Sequence, residues 1–250
     1  MPETYRACFT SHDKASGYDA QQYASQSHVS IMWHIEQAQL TQLLQQFRQS
    51  HPRIDYLDFA AGTGRIISFM EEKVDAATGI EISQSMLDVA RTKVKKVRLI
   101  CADITVPGTP VEGKYDLITA FRFMLNAEPS LRVAALKALA ARLKGKNSCL
   151  VFNNHGYLFS HKLFLWPWHI LRRLGKGWQP QGNYMTHRQA HELCRQAGLK
   201  IESAIGSGVL SLKMLKLLPV ENALRLEEQL TGSRVLAKFG VNQMYVARLV

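Results

Sequence analysis

No stretch of eighteen or more consecutive apolar residues occurs in the 250-residue chain, so nothing in it reads as a membrane-spanning helix. The N-terminus, Met1-Pro2-Glu3-Thr4-Tyr5-Arg6, lacks the apolar core of a signal peptide. Cysteine is sparse. Cys8, Cys101, Cys149 and Cys194 are scattered and none pairs at metal-ligand spacing, so they read as buried thiols in a reducing, cytoplasmic setting. Acidic residues are missing from an entire quarter of the chain: between Pro129 and His191 there is no Asp or Glu. That stretch carries ten cations (Arg132, Lys137, Arg142, Lys144, Lys146, Lys162, Arg172, Arg173, Lys176 and Arg188), nearly the whole net charge of +11. Such a field draws anionic partners over about 8 Å at physiological salt, or it is a solvated basic face. His187 and His191 stand four apart on a predicted helix, but no Glu beside the first and no third ligand accompany them, so no metal site is expected.

One more absence narrows the chemistry. Ile54, Tyr56 and Leu57 lead into Asp58, small residues turn the chain through Ala60-Ala61-Gly62-Thr63-Gly64-Arg65, and Ile66, Ile67, Phe69 and Met70 follow at helical spacing. This is strand, tight turn, helix. Gly62 and Gly64 lack a Cβ and let a ligand approach the backbone, and the helix start adds unpaired N–H groups. A dinucleotide turn would carry a third glycine where Ile67 stands, which speaks against a nicotinamide reductase. Two further strands end in acids: 75–81 in Glu81 and 97–102 before Asp103. A carboxylate at the first suits a ribose diol, and one at the second accepts from an exocyclic adenine amine. Three acids at successive strand ends favour a cationic, adenosine-bearing ligand over a pyrophosphate.

Alternation continues along the chain: a helix within 28–49, strand 54–59, helix 64–73, strand 75–81, helix 84–95, strand 97–102, strand 115–121, helix 130–143 and strand 148–153. That order predicts an α/β, Rossmann-like doubly wound and mostly parallel sheet whose ligands bind beyond the strand carboxyl ends. After an insertion at 155–185 come a helix over 186–196, capped by Thr186 and stopped by Gly198, and strand 199–205. An irregular segment at 206–239, with a helix near 220–230, precedes a closing strand at 242–250. The chain thus reads as one domain: a helical lid at 1–49, a core at 50–154, the insertion, and a C-terminal part at 186–250.

The set Asp58-x-Ala60-x-Gly62-x-Gly64, Gly79-Ile80-Glu81-Ile82-Ser83, Ala102-Asp103-Ile104 and Tyr115-Asp116-Leu117-Ile118 resembles the class I S-adenosylmethionine-dependent methyltransferases, over roughly residues 50 to 155. The resemblance implies seven strands with the last antiparallel, S-adenosyl-L-methionine as cofactor and S-adenosyl-L-homocysteine as product. It further implies that Asp58, Gly62 and Gly64 lie on the amino-acid part of the cofactor, with Ala60 in place of the usual first glycine, that Glu81 holds the ribose, and that Asp103 holds the adenine. Phe121 and Arg122 fall where the family lines the cofactor near its sulfonium. Arg65, Ile82, Met86 and Ile104 complete the expected contacts, and Tyr18 or Tyr23 would close a lid.

The insertion is the most individual part of the chain. Trp166, Trp168 and Trp178 mix with Arg and Lys across 157–178, and Phe159, Leu163, Trp166, Ile170 and Leu174 share a helical stripe that Pro167 would bend. Aromatics mixed with cations suit a headgroup layer, so the segment is expected to admit a small or lipid-linked acceptor and to lean on an anionic membrane, or else to pack as a lid. A hydroxyl acceptor needs a proton acceptor, and His155, just after the fifth strand, is the first candidate, ahead of His161, Tyr157 and Tyr184. Methylation of RNA and a non-catalytic cofactor-binding subunit stay open as alternatives. Against base-amine methylation, Ala120-Phe121-Arg122-Phe123 replaces the family's Asn/Asp-Pro-Pro-Tyr, and no RNA-binding domain is recognisable.

Overall fold

A computed structural model describes residues 30–106, 108–109, 111–155, 160, 163, 171, 185–233 and 235–250. Tyr18, Tyr23, Cys8 and nearly all of the aromatic insertion, its three tryptophans included, lie outside the described residues.

Seven strands form one sheet: β1 (Asp55–Phe59), β2 (Ala76–Glu81), β3 (Val97–Cys101), β4 (Leu117–Ala120), β5 (Cys149–His155), β6 (Leu199–Ser207) and β7 (Asn242–Leu249). Their order is β3-β2-β1-β4-β5-β7-β6. Strands β1 to β5 pair in parallel, and β7 is antiparallel to both β5 and β6. The order reverses between β1 and β4, the place where open α/β sheets open a crevice. The helices are α1 (Ile31–Arg48), α2 (Arg65–Met70), α3 (Gln84–Arg91), α4 (Pro129–Ala140), α5 (His187–Gln196), α6 (Leu212–Leu215) and α7 (Val220–Gly232).

Side chains alternate across a strand, and here each face is covered. Leu57, Phe59, Ile118, Ala120, Leu150 and Phe152 face α4 and α5 through Leu131, Leu136, Leu139, Ala190 and Leu193. Tyr56, Leu117, Cys149, Val151, Met244 and Val246 face the opposite way, toward Leu40, Leu44 and Phe47 of α1 and Ile67 and Met70 of α2. The expected strands and helices appear with shifted ends. Strand β4 is shorter than 115–121 because Tyr115 bridges to Leu143 instead. Thr186 caps α5 in a reciprocal capping box with Gln189, and Gly198 follows the helix at φ 71°. The segment expected to be irregular after Gly206 is mostly helical, because β6 runs on to Ser207 and α6 and α7 follow. One cysteine departs from expectation: Cys101 sits at the end of the edge strand β3 and is exposed, whereas Cys149 and Cys194 are buried, which pushes both thiols up to about 12.

Candidate active site

The turn after β1 is built on left-handed backbone. Ala60, Gly62 and Gly64 have φ of 55°, 56° and 83°. Glycine adopts this region freely; alanine does so at a cost of about 1–2 kcal/mol. The turn is held from the side by Glu81. One carboxylate oxygen accepts from the Gly62 N–H at 3.0 Å, and the other accepts from Ile82 and Ser83 at 2.9 and 3.1 Å. Burial pushes the Glu81 carboxyl up, and these three N–H groups oppose the shift.

Beneath the turn lies Asp58, 1 % exposed. Thr119, its register partner on β4, donates to Oδ1 at 2.7 Å, and the Tyr56 hydroxyl meets the same Thr119 oxygen at 2.5 Å. Oδ2 has no hydrogen bond. Desolvation raises the Asp58 carboxyl to about 7, with Thr119 and Arg65 pulling it down.

Over the carboxyl ends of β1, β2 and β3 lies an open pocket of about 370 Å³, solvent-filled space at its mouth included. Ala60, Glu81, Ile82 and Asp103 line it, together with Phe59, Ile80, Ala102, Thr105, Phe123 and Leu131. Four expected residues thus meet on its walls. The apolar ones, Phe59, Phe123 and Leu131, were not anticipated; Phe59 and Phe123 meet edge-to-face at 4.8 Å. Asp103 is partly committed: its Oδ1 accepts from the Thr105 amide and hydroxyl at 2.9 and 2.5 Å. The other expected residues do not line this pocket. Met86 is buried, its sulfur 4.0 Å from where a Gly62 Cβ would be. Ile104 is core, and Phe121 packs in the core on the α1 side. Arg122 adopts φ 60°, its N–H donating to Asn153 Oδ1 at 2.7 Å.

A second polar group stands on the α1 face. Alternation along β5 and β7 puts Asn153, His155 and Asn242 on that side, at the carboxyl edge of the sheet, with His155 opposite Asn242 in register. They converge on Glu36 of α1, which is fully buried. Its Oε1 accepts from Asn242 at 3.0 Å and Asn153 at 3.3 Å. The His155 Nε2 lies 3.2 Å from Asn153 Nδ2 and 4.0 Å from Glu36 Oε1, with a quarter of the side chain exposed. Arg65, at the start of α2, reaches Glu36 Oε2 at 3.6 Å and lies over the Trp33 ring at 4.7 Å. Glu36 was missed because the helix was read for its apolar stripe; a Glu and a Gln at 36 and 39 within that stripe were the available signal.

Several basic residues are engaged by the protein itself, Arg132 in the interior, Arg142 half-buried and Lys144 at the surface. Arg132 is buried and donates to the Ala127 carbonyl, Arg142 donates to the Ala138 and Val111 carbonyls, and Lys144 pairs with Asp55 and Asp116 at 2.6 Å each. The His187 Nδ1 lies 2.8 Å from the Tyr245 hydroxyl.

A five-strand parallel run extended by β7 and β6, with acids at the strand ends beside a left-handed small-residue turn, defines the class I methyltransferase fold. Residues 57–146 match the family described as "Methyltransferase domain", and the sheet has the fold of the S-adenosylmethionine-dependent methyltransferases. No protein of curated function matches the sequence. Among solved structures, the chain is similar to magnesium protoporphyrin IX methyltransferase from Synechocystis PCC 6803 with bound S-adenosylhomocysteine, at TM-score 0.64 and 13% identity over 98% of this chain and 100% of that one. It is also similar to CalS10, an amino pentose methyltransferase from Micromonospora echinaspora, at TM-score 0.58 and 16% identity over 94% and 96% of the two chains. A third is NcsB1, an O-methyltransferase from neocarzinostatin biosynthesis solved with 1,4-dihydroxy-2-naphthoic acid, at TM-score 0.51 and 12% identity over 78% of this chain and 49% of that one. At these identities the likeness is one of fold.

Proposed function

We propose that this chain methylates a hydroxyl oxygen of a small or lipid-linked acceptor, with S-adenosylmethionine as donor. The observation that carries the reading is the placement of two polar groups at the carboxyl edge of one sheet: the Glu81–Asp103 pocket at the ends of β1 to β3 and the Glu36–Asn153–His155 group at the end of β5. The residues present fit the cofactor. Phe59, Ile82, Phe123 and Leu131 give an apolar slot for a flat base, Asp103 an acceptor for its amine, and Glu81 lone pairs for a ribose diol. The unpartnered Asp58 oxygen and the Cβ-free turn suit its cationic, backbone-hugging remainder. Bound there, the cofactor supplies an electrophilic methyl group.

The protein supplies alignment and a proton acceptor. Holding the acceptor oxygen in line contributes about 7–11 kcal/mol. His155 is the proton acceptor at Nε2, where the Asn153 amide holds the ring's one lone pair until the acceptor hydroxyl takes that amide's place. Fold neighbours that act on magnesium protoporphyrin IX or hold a dihydroxynaphthoic acid support a small-molecule reading. The engagement of Arg132, Arg142 and Lys144 by groups of the protein itself speaks against RNA methylation through those cations. Among the described residues no helix is long and apolar enough to cross a membrane, and peripheral contact through 157–178 is the proposed route for a lipid-linked acceptor.

The test is methyl release from labelled cofactor against lipid, glycan, phenolic and RNA extracts, with wild type and His155→Ala. Turnover on a hydroxyl acceptor should fall about 100-fold or more in the variant while S-adenosylhomocysteine affinity holds. Unchanged turnover would dismiss His155, and methyl transfer to RNA alone would overturn the reading.

A further inference from the structure

Between β6 and β7 the chain turns apolar side chains outward. In Leu212-Lys213-Met214-Leu215-Lys216-Leu217 only Leu215 faces in, packing with Ile31 and Ile35 of α1 and Ala223 of α7. Leu212, Met214 and Leu217 stand 41, 51 and 84 % exposed. A second outward group, Val235, Leu236 and Phe239, precedes β7. Exposed apolar residues scattered singly need no explanation, but most of the large ones among the described residues fall in these two stretches.

Both stretches belong to one corner of the sheet. The Val241 N–H donates to the Gly208 carbonyl at 3.0 Å, and the Gly206 backbone lies against Ala237. Ser207 pairs with Asn242, which pairs in turn with His155 at the end of β5. The corner is therefore at the carboxyl edge of the sheet, the edge over which the pocket lies.

Charge identifies what fits it. From Ser203 to Val220, and again from Gln229 to Val250, the sequence has no Asp or Glu. Lys213, Lys216 and Lys238 are exposed and form no ion pair with a described residue, whereas Arg132, Arg142 and Lys144 are engaged by groups of the protein itself. Cores of protein–protein interfaces are depleted in lysine, which speaks against a second copy of the chain. A lipid headgroup layer accepts both residue types. Leucine and methionine enter the acyl boundary, while lysine stems lie along them and lift their ammonium groups to anionic headgroups. We infer that this corner is a docking surface for an anionic lipid bilayer, with Met214 and Leu217 inserted and Lys213 and Lys216 at headgroup level. For the proposed reaction the consequence is access, since an acceptor held in the bilayer arrives at the edge where the pocket lies. Docking itself needs neither the cofactor nor the acceptor hydroxyl, so it stands apart from the methyl-transfer reading and from segment 157–178.

The test is co-sedimentation of the full chain with vesicles of mixed phosphatidylglycerol and phosphatidylcholine, against phosphatidylcholine alone. Wild type should bind the anionic vesicles at least tenfold more tightly than the neutral ones. Met214→Ser with Leu217→Ser should weaken that binding at least tenfold, and Lys213→Gln with Lys216→Gln should weaken it about tenfold and flatten its salt dependence. Both variants should keep Tm within about 3 °C and, without vesicles, S-adenosylhomocysteine affinity within about twofold, because the positions are exposed. No vesicle binding by wild type, or a serine variant that binds as tightly as wild type, overturns the inference. A larger Tm loss in the serine variant overturns it too, since another part of the chain would then cover the corner. So does a wild-type dimer that the serine variant splits without vesicles. A wild type that binds vesicles but not S-adenosylhomocysteine supports docking while the cofactor reading falls.

Discussion

Replacing Gly64 by alanine tests the architecture of the turn where its geometry is most demanding. Gly64 has φ 83°, and a Cβ built on it falls 2.9 Å from Ala90 Cβ and 3.1 Å from Ala90 Cα on α3. Two separate penalties follow. The left-handed backbone costs an alanine about 1–2 kcal/mol, partly offset by about 0.4–1 kcal/mol because alanine stiffens the unfolded chain. The clash is with a helix backbone and its fully buried methyl, which cannot swing aside, and overpacking of this kind costs about 1–3 kcal/mol. Gly64→Ala should therefore destabilise by roughly 2–4 kcal/mol, or on the order of 5–12 °C in Tm for a chain of this size. Ala90→Gly supplies the control. Alone it costs about 2 kcal/mol, from helix propensity and a lost buried methyl. Combined with Gly64→Ala, it removes the clash but leaves the φ strain. Urea unfolding of the four proteins should thus show a favourable coupling of about 1–3 kcal/mol. A Gly64→Ala cost below about 1 kcal/mol, or additive effects in the cycle, would refute the close approach of α2 to α3 at this turn.

Ala60, at φ 55° and partly buried, pays the same conformational penalty in the wild-type protein; Ala60→Gly should be stabilising by about 0.5–1 kcal/mol in urea titrations, and a loss above 1 kcal/mol would mean that its methyl packing dominates. The Asp58 carboxyl is raised from 3.8 to about 7 in the fold, so between those values the folded chain holds a proton that the unfolded chain releases. The resulting stabilisation is complete below about pH 4 and lost as pH climbs to about 7; Asp58→Asn should flatten the stability–pH curve over that window, and identical slopes would count against it. Flotation of the full chain with anionic vesicles should fall off with added salt, whereas absence of flotation at low salt would remove the membrane role proposed for 157–178.

Fold and site were legible to different depths. Strand positions along the chain followed from period and spacing, since Leu57 and Phe59 against Tyr56 and Asp58 had to occupy two covered faces, while the antiparallel last strand followed from the family resemblance. Strand ends were less legible because pairing sets them: Tyr115 has the right residue type for β4, but its partner is Leu143. Glu81 and Asp103 could be placed at the pocket because each ends a strand. Phe123 and Leu131 could not, since their arrival there depends on how the chain leaves β4 and enters α4, which no local pattern encodes. Glu36 was hidden for a related reason. Its partners Asn153 and Asn242 come from strands more than a hundred residues away, and only the sheet register brings them together.

The three acids were each assigned a different part of the ligand, and their surroundings separate them further. Glu81 accepts three backbone N–H groups from the turn and the strand end, so it shapes the loop before any ligand arrives. Asp103 does the same for the Thr105 turn with one oxygen. Each has lone pairs left, but neither is a loose charge waiting for a partner, and removing either would disturb the loop along with the site. Asp58 faces no solvent, and this burial is why its proton is retained to about pH 7 against the pull of Thr119 and Arg65. A cation nearby would favour the ionised form, so occupancy by a positively charged ligand should release a proton from Asp58 near neutral pH. Calorimetric heats for such a ligand should then vary with the ionisation enthalpy of the buffer around pH 6.5, and the dependence should vanish in Asp58→Asn. Buffer-independent heats in wild type would show that the ligand's charge is neutralised elsewhere.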